Sequence, residues 1–275
     1  MRYLNLLAAA LLTLSACAQT KSFTFVQMSD PQIGFMDRSA GYIRSDILMQ
    51  KAVLAVNALE PALVFVTGDL VNDPYDVVQD SIYRVRIAEV EAPVYTLPGN
   101  HDITPFTQEN LAHYLDWRGY DRFSFKKYGC AFIGFDTNRI QDGAEEAAAE
   151  QLTWLRAQLA AAKGARYTFV FLHCPVIRET LDERDDNFNF SPANRELYLS
   201  LFKEYGVDAV FAGHTHQDYA GEYEGIRLYT AGPVGNALGG AKSGYHVIRV
   251  GSDGFEVEYV PTPGVTVAPQ RNFRR

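Results

Sequence analysis

An α/β fold of two stacked mixed β-sheets flanked by helices is predicted by three observations. Short apolar runs rich in β-branched and aromatic residues alternate with segments of helical periodicity through residue 212. Nearly every such run ends in a carboxylate, an amide or an imidazole, the place where open α/β sheets bind ligands. From Ile226 onward helices cease, and strands joined by glycine-rich turns close the chain.

Phe23-Thr24-Phe25-Val26-Gln27-Met28 alternates as a first strand and delivers Ser29-Asp30-Pro31-Gln32 at its end. Leu48, Ala52, Ala55 and Leu59 recur at helical spacing, giving one apolar face. The continuous apolar run Ala62 to Val66 is expected of a strand covered on both faces, and it ends in Thr67-Gly68-Asp69. Asp76 to Glu91 reads as a second helix. Val94 to Leu97, bounded by Pro93 and Pro98-Gly99, is a buried strand whose tip presents Asn100, His101 and Asp102. Cys130 to Phe135 is a strand ending in Asp136, and Leu152, Leu155, Leu159 and Ala162 mark a helix. Tyr167 to Leu172 is a strand ending in His173. Ser191-Pro192 starts the next helix, with Leu197, Tyr198, Leu201, Phe202 and Tyr205 inward. Asp208 to Ala212 is a strand ending in Gly213-His214-Thr215-His216, and Ile226 to Thr230, Gly244 to Val250 and Phe255 to Val260 are the closing strands.

The first residues stand apart. Arg2 is the only charge before an apolar run, Leu4 to Leu14, too short for a membrane span, and Leu14-Ser15-Ala16-Cys17 follows. This resembles a bacterial lipoprotein signal peptide with its lipobox, which implies cleavage after residue 16 and lipidation of Cys17. The expected division is a leader at 1–16, a lipidated tether at 17–22, one domain at 23–265 and a tail at 266–275. Ala18-Gln19 places no acid after the cysteine, favouring an outer-membrane anchor facing the periplasm. Removing the leader shifts the formal charge from −8 to −9, and no run of five basic residues exists. A nucleic-acid partner is therefore not expected, because clustered Lys and Arg are needed to neutralise phosphates. A monomer is expected. Cys130 and Cys174 are too few for a disulfide framework and are expected to be buried thiols.

Asn100-His101-Asp102 alone would pass for a polar turn. Collected with Asp30, Asp69, His173, His214 and His216 it does not, since four of the six histidines in the chain fall at strand ends. Mixed Asp, Asn and His donors suit borderline divalent ions, and the set is too large for one tetrahedral zinc. Two metals sharing one carboxylate account for it more naturally.

The ordered blocks Asp30-Pro31-Gln32, Gly68-Asp69, Gly99-Asn100-His101-Asp102, His173 before a proline, and Gly213-His214-Thr215-His216 resemble those of the calcineurin-like metallophosphoesterases. Asp30-Pro31-Gln32 and the stretch Leu181 to Asn189 are similar to the branch with a single-domain animal serine/threonine phosphatase. The resemblance implies a four-layer calcineurin-like sandwich and a phosphoester hydrolase, expected to act on monoesters, with a phosphodiesterase, a nucleotidase or a non-catalytic binding lipoprotein as alternatives. Its substrate would be a phosphorylated small molecule or a phosphoprotein. Two divalent ions, Mn, Fe or Zn, would share Asp69, with Asp30 and His216 on the first and Asn100, His173 and His214 on the second. Gln32 stands where most relatives carry His and offers the first ion a neutral, weaker oxygen. His101 would act on the leaving group, with Asp102 orienting it, while metal-held hydroxide attacks in line. Asn138, Arg139, Arg178 and Arg184 are candidate phosphate contacts. His113 and His246 are expected to be packed or solvated, and the acidic loop from Pro175 to Pro192 is either a gate or a solvated connector.

Overall fold

The computed structural model describes residues 22–264. The expected leader at 1–16, Cys17 and the 266–275 tail lie outside them. Among the described residues no helix is long and apolar enough to cross a membrane.

The first strands and helices fall where the apolar periodicity places them, except that Leu59 lies beyond the first helix and is exposed: β1 (Phe23–Met28), α1 (Ile43–Asn57), β2 (Leu63–Thr67), α2 (Val77–Ala88) and β3 (Val94–Leu97). After β3 come a single turn α3 (Asn100–Ile103), α4 (Gln108–Arg118), β4 (Phe123–Lys127), β5 (Cys130–Gly134) and the turn α5 (Asn138–Gln141). Then follow α6 (Glu145–Ala162), β6 (Thr168–Phe171), α7 (Pro192–Glu204), β7 (Ala209–Ala212), β8 (Tyr219–Tyr223), β9 (Ile226–Thr230), β10 (Gly244–Val250) and β11 (Phe255–Pro261). Asp76 caps α2 by accepting the Val78 and Gln79 amides, and Ser191 caps α7 with Pro192 in its first turn; on α7 Leu197, expected inward, is exposed, while Tyr198, Leu201 and Phe202 are buried.

One sheet has the order β11-β10-β1-β2-β3 and the other β4-β5-β6-β7-β9-β8. β1, β2 and β3 are parallel, as are β5, β6, β7 and β9; antiparallel strands β11, β4 and β8 close three of the four sheet edges, and β3 closes the fourth in parallel. β4 and β8 are the strands the sequence does not announce. Each is five residues long with one half-exposed face and pairs antiparallel at a sheet edge. Between the sheets lies a layer of phenylalanines, including Phe25, Phe65, Phe132, Phe169, Phe171 and Phe211, with Phe65 stacked on Phe171 at 4.0 Å between ring centres. Such pairs add about 0.5–1.5 kcal/mol beyond their burial. On the outer faces α1 and α2 cover one sheet and α6 and α7 the other, completing four layers. Cys130 and Cys174 are both free, buried thiols.

Candidate active site

The ends of β1, β2, β3, β6 and β7 converge at one edge of the sandwich and bring Asp30, Asp69, Asn100, His173, His214 and His216 together. Ten non-glycine residues among those described have a left-handed backbone, and five of them are Asp30, Gln32, Asp69, His214 and His216. Each such conformation costs about 1–3 kcal/mol and persists where its surroundings enforce it. Two glycines do much of the enforcing. A Cβ on Gly99 would collide with the Asp69 amide and carboxylate, and one on Gly213 would collide with Ser29 and the Asp30 carboxylate. Only glycine lets the β3 and β7 loops press this closely on the two acids.

Asp69 lies at the centre. Its Oδ1 accepts from the His101 amide at 2.9 Å and sits 3.3 Å from His173 Nε2, which is itself 3.1 Å from Asn100 Oδ1. Both oxygens of Asp30 accept from the His214 amide, at 3.1 and 3.0 Å, and His216 Nε2 is 3.7 Å from Asp30 Oδ1. Donor atoms of Asp69, His173 and His214 lie within 4.8 Å of one another, and so do those of Asp30, Asp69 and His216. Two triads therefore share one carboxylate.

Each site imidazole has one nitrogen against a backbone carbonyl. His173 Nδ1 faces Thr67 O at 2.8 Å, His101 Nδ1 faces Asn72 O at 3.0 Å, His216 Nδ1 faces Asn236 O at 2.9 Å, and His214 Nε2 faces Asn187 O at 2.7 Å. A carbonyl can only accept, so each contact places a proton on that nitrogen and leaves the other for a ligand. Burial works against charging His173, but Asp69 more than reverses this and raises its pKa to about 9; the same pairing holds Asp69 below the usual carboxylate range. Burial and the neighbouring His173 lower the pKa of His214.

The donor set fits a pair of divalent cations. Besides the shared acid, Gln32 is buried, its Nε2 is 3.4 Å from Asn72 Oδ1, and its Oε1 has no hydrogen-bond partner in the protein. An unsatisfied buried amide oxygen is costly unless a cation or donor meets it.

Several expected roles change. Asp102 does not orient His101. As the third residue of the α3 turn it curls back, accepting from the amides of Gly99 at 2.8 Å and Leu70 at 3.1 Å, and so ties the β3 end to the β2 end. Burial and Asp69 push its pKa up to about 6, so at neutral pH it remains an acceptor. Arg139 is turned away from the site, with Nε and Nη2 on Asp121 and Nη1 on Glu150, so it is not a phosphate contact. Asn138 lines a hollow of about 770 Å³ with Asn100, His173 and His214, but its amide donates to Gly99 O at 3.0 Å. Arg178 borders a second hollow of about 440 Å³ and pairs with Asp186 at 3.1 Å; Arg184 lines neither hollow. His113 packs on Tyr75 and Trp117, and His246 is buried between Gln27 and Asp218. Asn72, Asn187 and Asn236 are the residues sequence patterns miss, because they act through main-chain carbonyls that every residue type carries. Phe35 is missed too, its ring 5.1 Å from that of His216.

The calcineurin-like phosphoesterase family profile matches residues 23–218. A serine/threonine-protein phosphatase CPPED1 from Danio rerio is 33% identical over 253 residues, covering 83% of this chain and 81% of that protein. Among solved structures, a dimetal phosphatase from Danio rerio superposes with a TM-score of 0.64 at 16% identity, covering 87% of this chain and 99% of that one. GAP50, the anchor in the inner membrane complex of Plasmodium, gives a TM-score of 0.65 at 18% identity over 90% of this chain and 86% of its own.

Proposed function

The chain belongs to the calcineurin-like phosphoesterase family and is a hydrolase of phosphoesters, and we propose that it is a phosphomonoesterase working through a dinuclear metal centre. The observation that carries this is the pair of donor triads meeting at Asp69. Asp30, Gln32 and His216 would hold one cation, Asn100, His173 and His214 the other, and Asp69 both. When bound, such cations supply positive charge for the phosphoryl oxygens and lower the pKa of an attacking water toward roughly 7.

The chain's own residues do the rest. The larger hollow beside Asn100, His173 and His214 receives the ester, and its amide and hydroxyl groups, among them Asn194 and Ser191, can hydrogen-bond the leaving group. Among the described residues no Lys or Arg lines that hollow, so no side-chain cation there competes for the phosphate. His101, its Nδ1–H held by the Asn72 carbonyl, turns Nε2 to the leaving oxygen; as the imidazolium it donates the Nε2 proton to that oxygen as the P–O bond breaks and is left neutral, its Nδ1–H still on the carbonyl. The likeness to a serine/threonine-protein phosphatase supports a monoester substrate on a side chain or small molecule. A diester is the alternative, since the hollow has room for a second arm. Lipidation of Cys17 would present this site to the periplasm, and a Cys17→Ser chain should then leave the membrane fraction.

A chromogenic phosphomonoester and its matching diester, offered to protein starting at Ala18 and loaded with manganese or iron, test the proposal beside a metal-analysed Asp69→Asn control. Metal-dependent cleavage of the monoester with a dead control is expected. Preferred cleavage of the diester would replace phosphatase by phosphodiesterase. Two bound metals without cleavage of either ester would favour a binding role, with the neutral Gln32 as the first suspect.

A further inference from the structure

The four carbonyls that aim the site histidines do not come from equivalent places. Thr67 lies in β2, Asn72 in the loop from β2 to α2 and Asn236 in the loop from β9 to β10. The partner of His214 is Asn187, in the loop between β6 and α7. With Nε2 donating to Asn187 O, the lone pair of His214 is on Nδ1.

That loop is built to hold its shape. Arg195 reaches back from α7, fully buried, and donates to four of the loop's carbonyls: Phe190 at 2.8 Å, Leu181 at 3.0 Å, Glu183 at 2.7 Å and Arg184 at 3.3 Å. Asn189, also buried, donates to Glu183 Oε1 at 2.6 Å and Arg184 O at 3.0 Å, and its carbonyl accepts from Gln141 at 2.9 Å. The Glu183 carboxylate in turn caps the amides of Arg178, Glu179 and Thr180. The Phe188 ring lies against His214, with 5.2 Å between ring centres. A solvated connector has no use for two buried polar side chains committed to its own backbone, and a freely opening gate would have to break them.

We propose that the loop from Arg178 to Phe190, fixed by Arg195 and Asn189, is the positioning element for His214, its Asn187 carbonyl holding the imidazole with Nδ1 toward Asp69 and His173. This rests on the metal-centre reading given above. The wiring has a definite sign. If Nδ1 takes the cation, a slack loop leaves His214 misaimed and weakens one of two binding events. If Nε2 took it, the carbonyl would be a competitor and a slack loop would tighten binding.

The test is manganese(II) binding by calorimetry to the metal-stripped full chain, wild type against Asn189→Ala, with circular dichroism to confirm the fold and limited proteolysis to report the loop. Arg195→Lys, which keeps the charge but forms fewer of the four carbonyl bonds, is read beside it and decides the matter if the alanine chain fails to fold. The expected result is a folded protein with a loosened loop, in which one manganese equivalent weakens about 10–100-fold, the usual effect of losing a residue that orients a ligand, and the other stays within about twofold. Wild-type affinity at both equivalents, or tighter binding at one, overturns the assignment while leaving the dinuclear reading intact. A wild-type chain that takes up no manganese overturns both.

Discussion

The two halves of the site are held by different means. Asp30, Gln32 and His216 sit on left-handed backbone beside β1 and β7, and His216 is backed by Asn236, whose side chain donates to Phe35 O at 2.7 Å. Asn100, His173 and His214 are braced from further away. Asn138 donates to Gly99 O beside Asn100, Thr137 Oγ1 accepts from the Cys174 amide beside His173 at 3.2 Å, and Asn187 holds His214. The first half stands wholly on left-handed backbone, whereas the second has it only at His214 and depends besides on Thr137 and Asn138 at the α5 turn, on Arg195 of α7 and on the loop before α7. A perturbation of a brace should therefore touch the second half alone, whereas Asp69 belongs to both.

Asp69→Asn should have the largest effect. It removes the charge both triads share, so metal analysis should find both cations depleted, and losing several kcal/mol of transition-state charge stabilisation should lower kcat/KM on the order of 10³-fold or more. Retention of one full metal equivalent would show that the halves are independent. His101→Ala should keep both metals yet cost about 10²–10⁴-fold, least for esters with good leaving groups, because only proton donation is lost. An equal loss for every leaving group would assign His101 elsewhere. Gln32→Ala should weaken one cation about tenfold, as expected if one neutral oxygen contributes about 1.4 kcal/mol. It should leave the equivalent that the Asn189→Ala chain loses untouched; if both variants weaken the same equivalent, the division into halves is wrong.

The order of most strands and helices along the chain, the two-sheet sandwich with helices outside and the convergent donor side chains are legible in the sequence because each depends on residue type. Apolar runs such as Leu63 to Val66 and the strand-end acids and histidines carry their signal in the side chain. The edge strands β4 and β8 are not, since alternation as short as Phe123-Ser124-Phe125 is common in loops as well. The orienting role that the resemblance implies for Asp102 fails because a helical turn sends the side chains of His101 and Asp102 in different directions. The braces were hidden for a related reason. Nothing in the identity of Asn187 distinguishes its carbonyl from any other, and Arg195 reads in the sequence as an ordinary charged position on an amphipathic helix.

The smallest effect on turnover is expected from Asp136→Asn, which probes the bracing itself. Asp136 lies at the end of β5, fully buried; its Oδ1 accepts from the Asn138 amide at 2.8 Å, while its Oδ2 has no hydrogen-bond partner. Burial, and then Asp121, raise its pKa to about 7 against the pull of the Asn138 amide and Arg139. The unfolded chain releases this proton near pH 3.9, so between about pH 4 and 7 the folded state binds the extra proton. Stability therefore falls as pH rises through that window and is level above it. Asparagine mimics the protonated acid and can keep its oxygen on the Asn138 amide, and Arg139 still has Asp121 and Glu150. Relative to wild type, the variant should gain stability on going from pH 4 to pH 8, on the order of 4 kcal/mol for a pKa of about 7 in place of about 3.9 at about 1.4 kcal/mol per pH unit, with turnover at saturating metal nearly unchanged. Urea unfolding of the metal-free pair at both pH values measures this directly, and a difference that does not vary with pH would mean that Asp136 is ionised in the folded protein throughout and that the brace rests on a charged pair with Arg139.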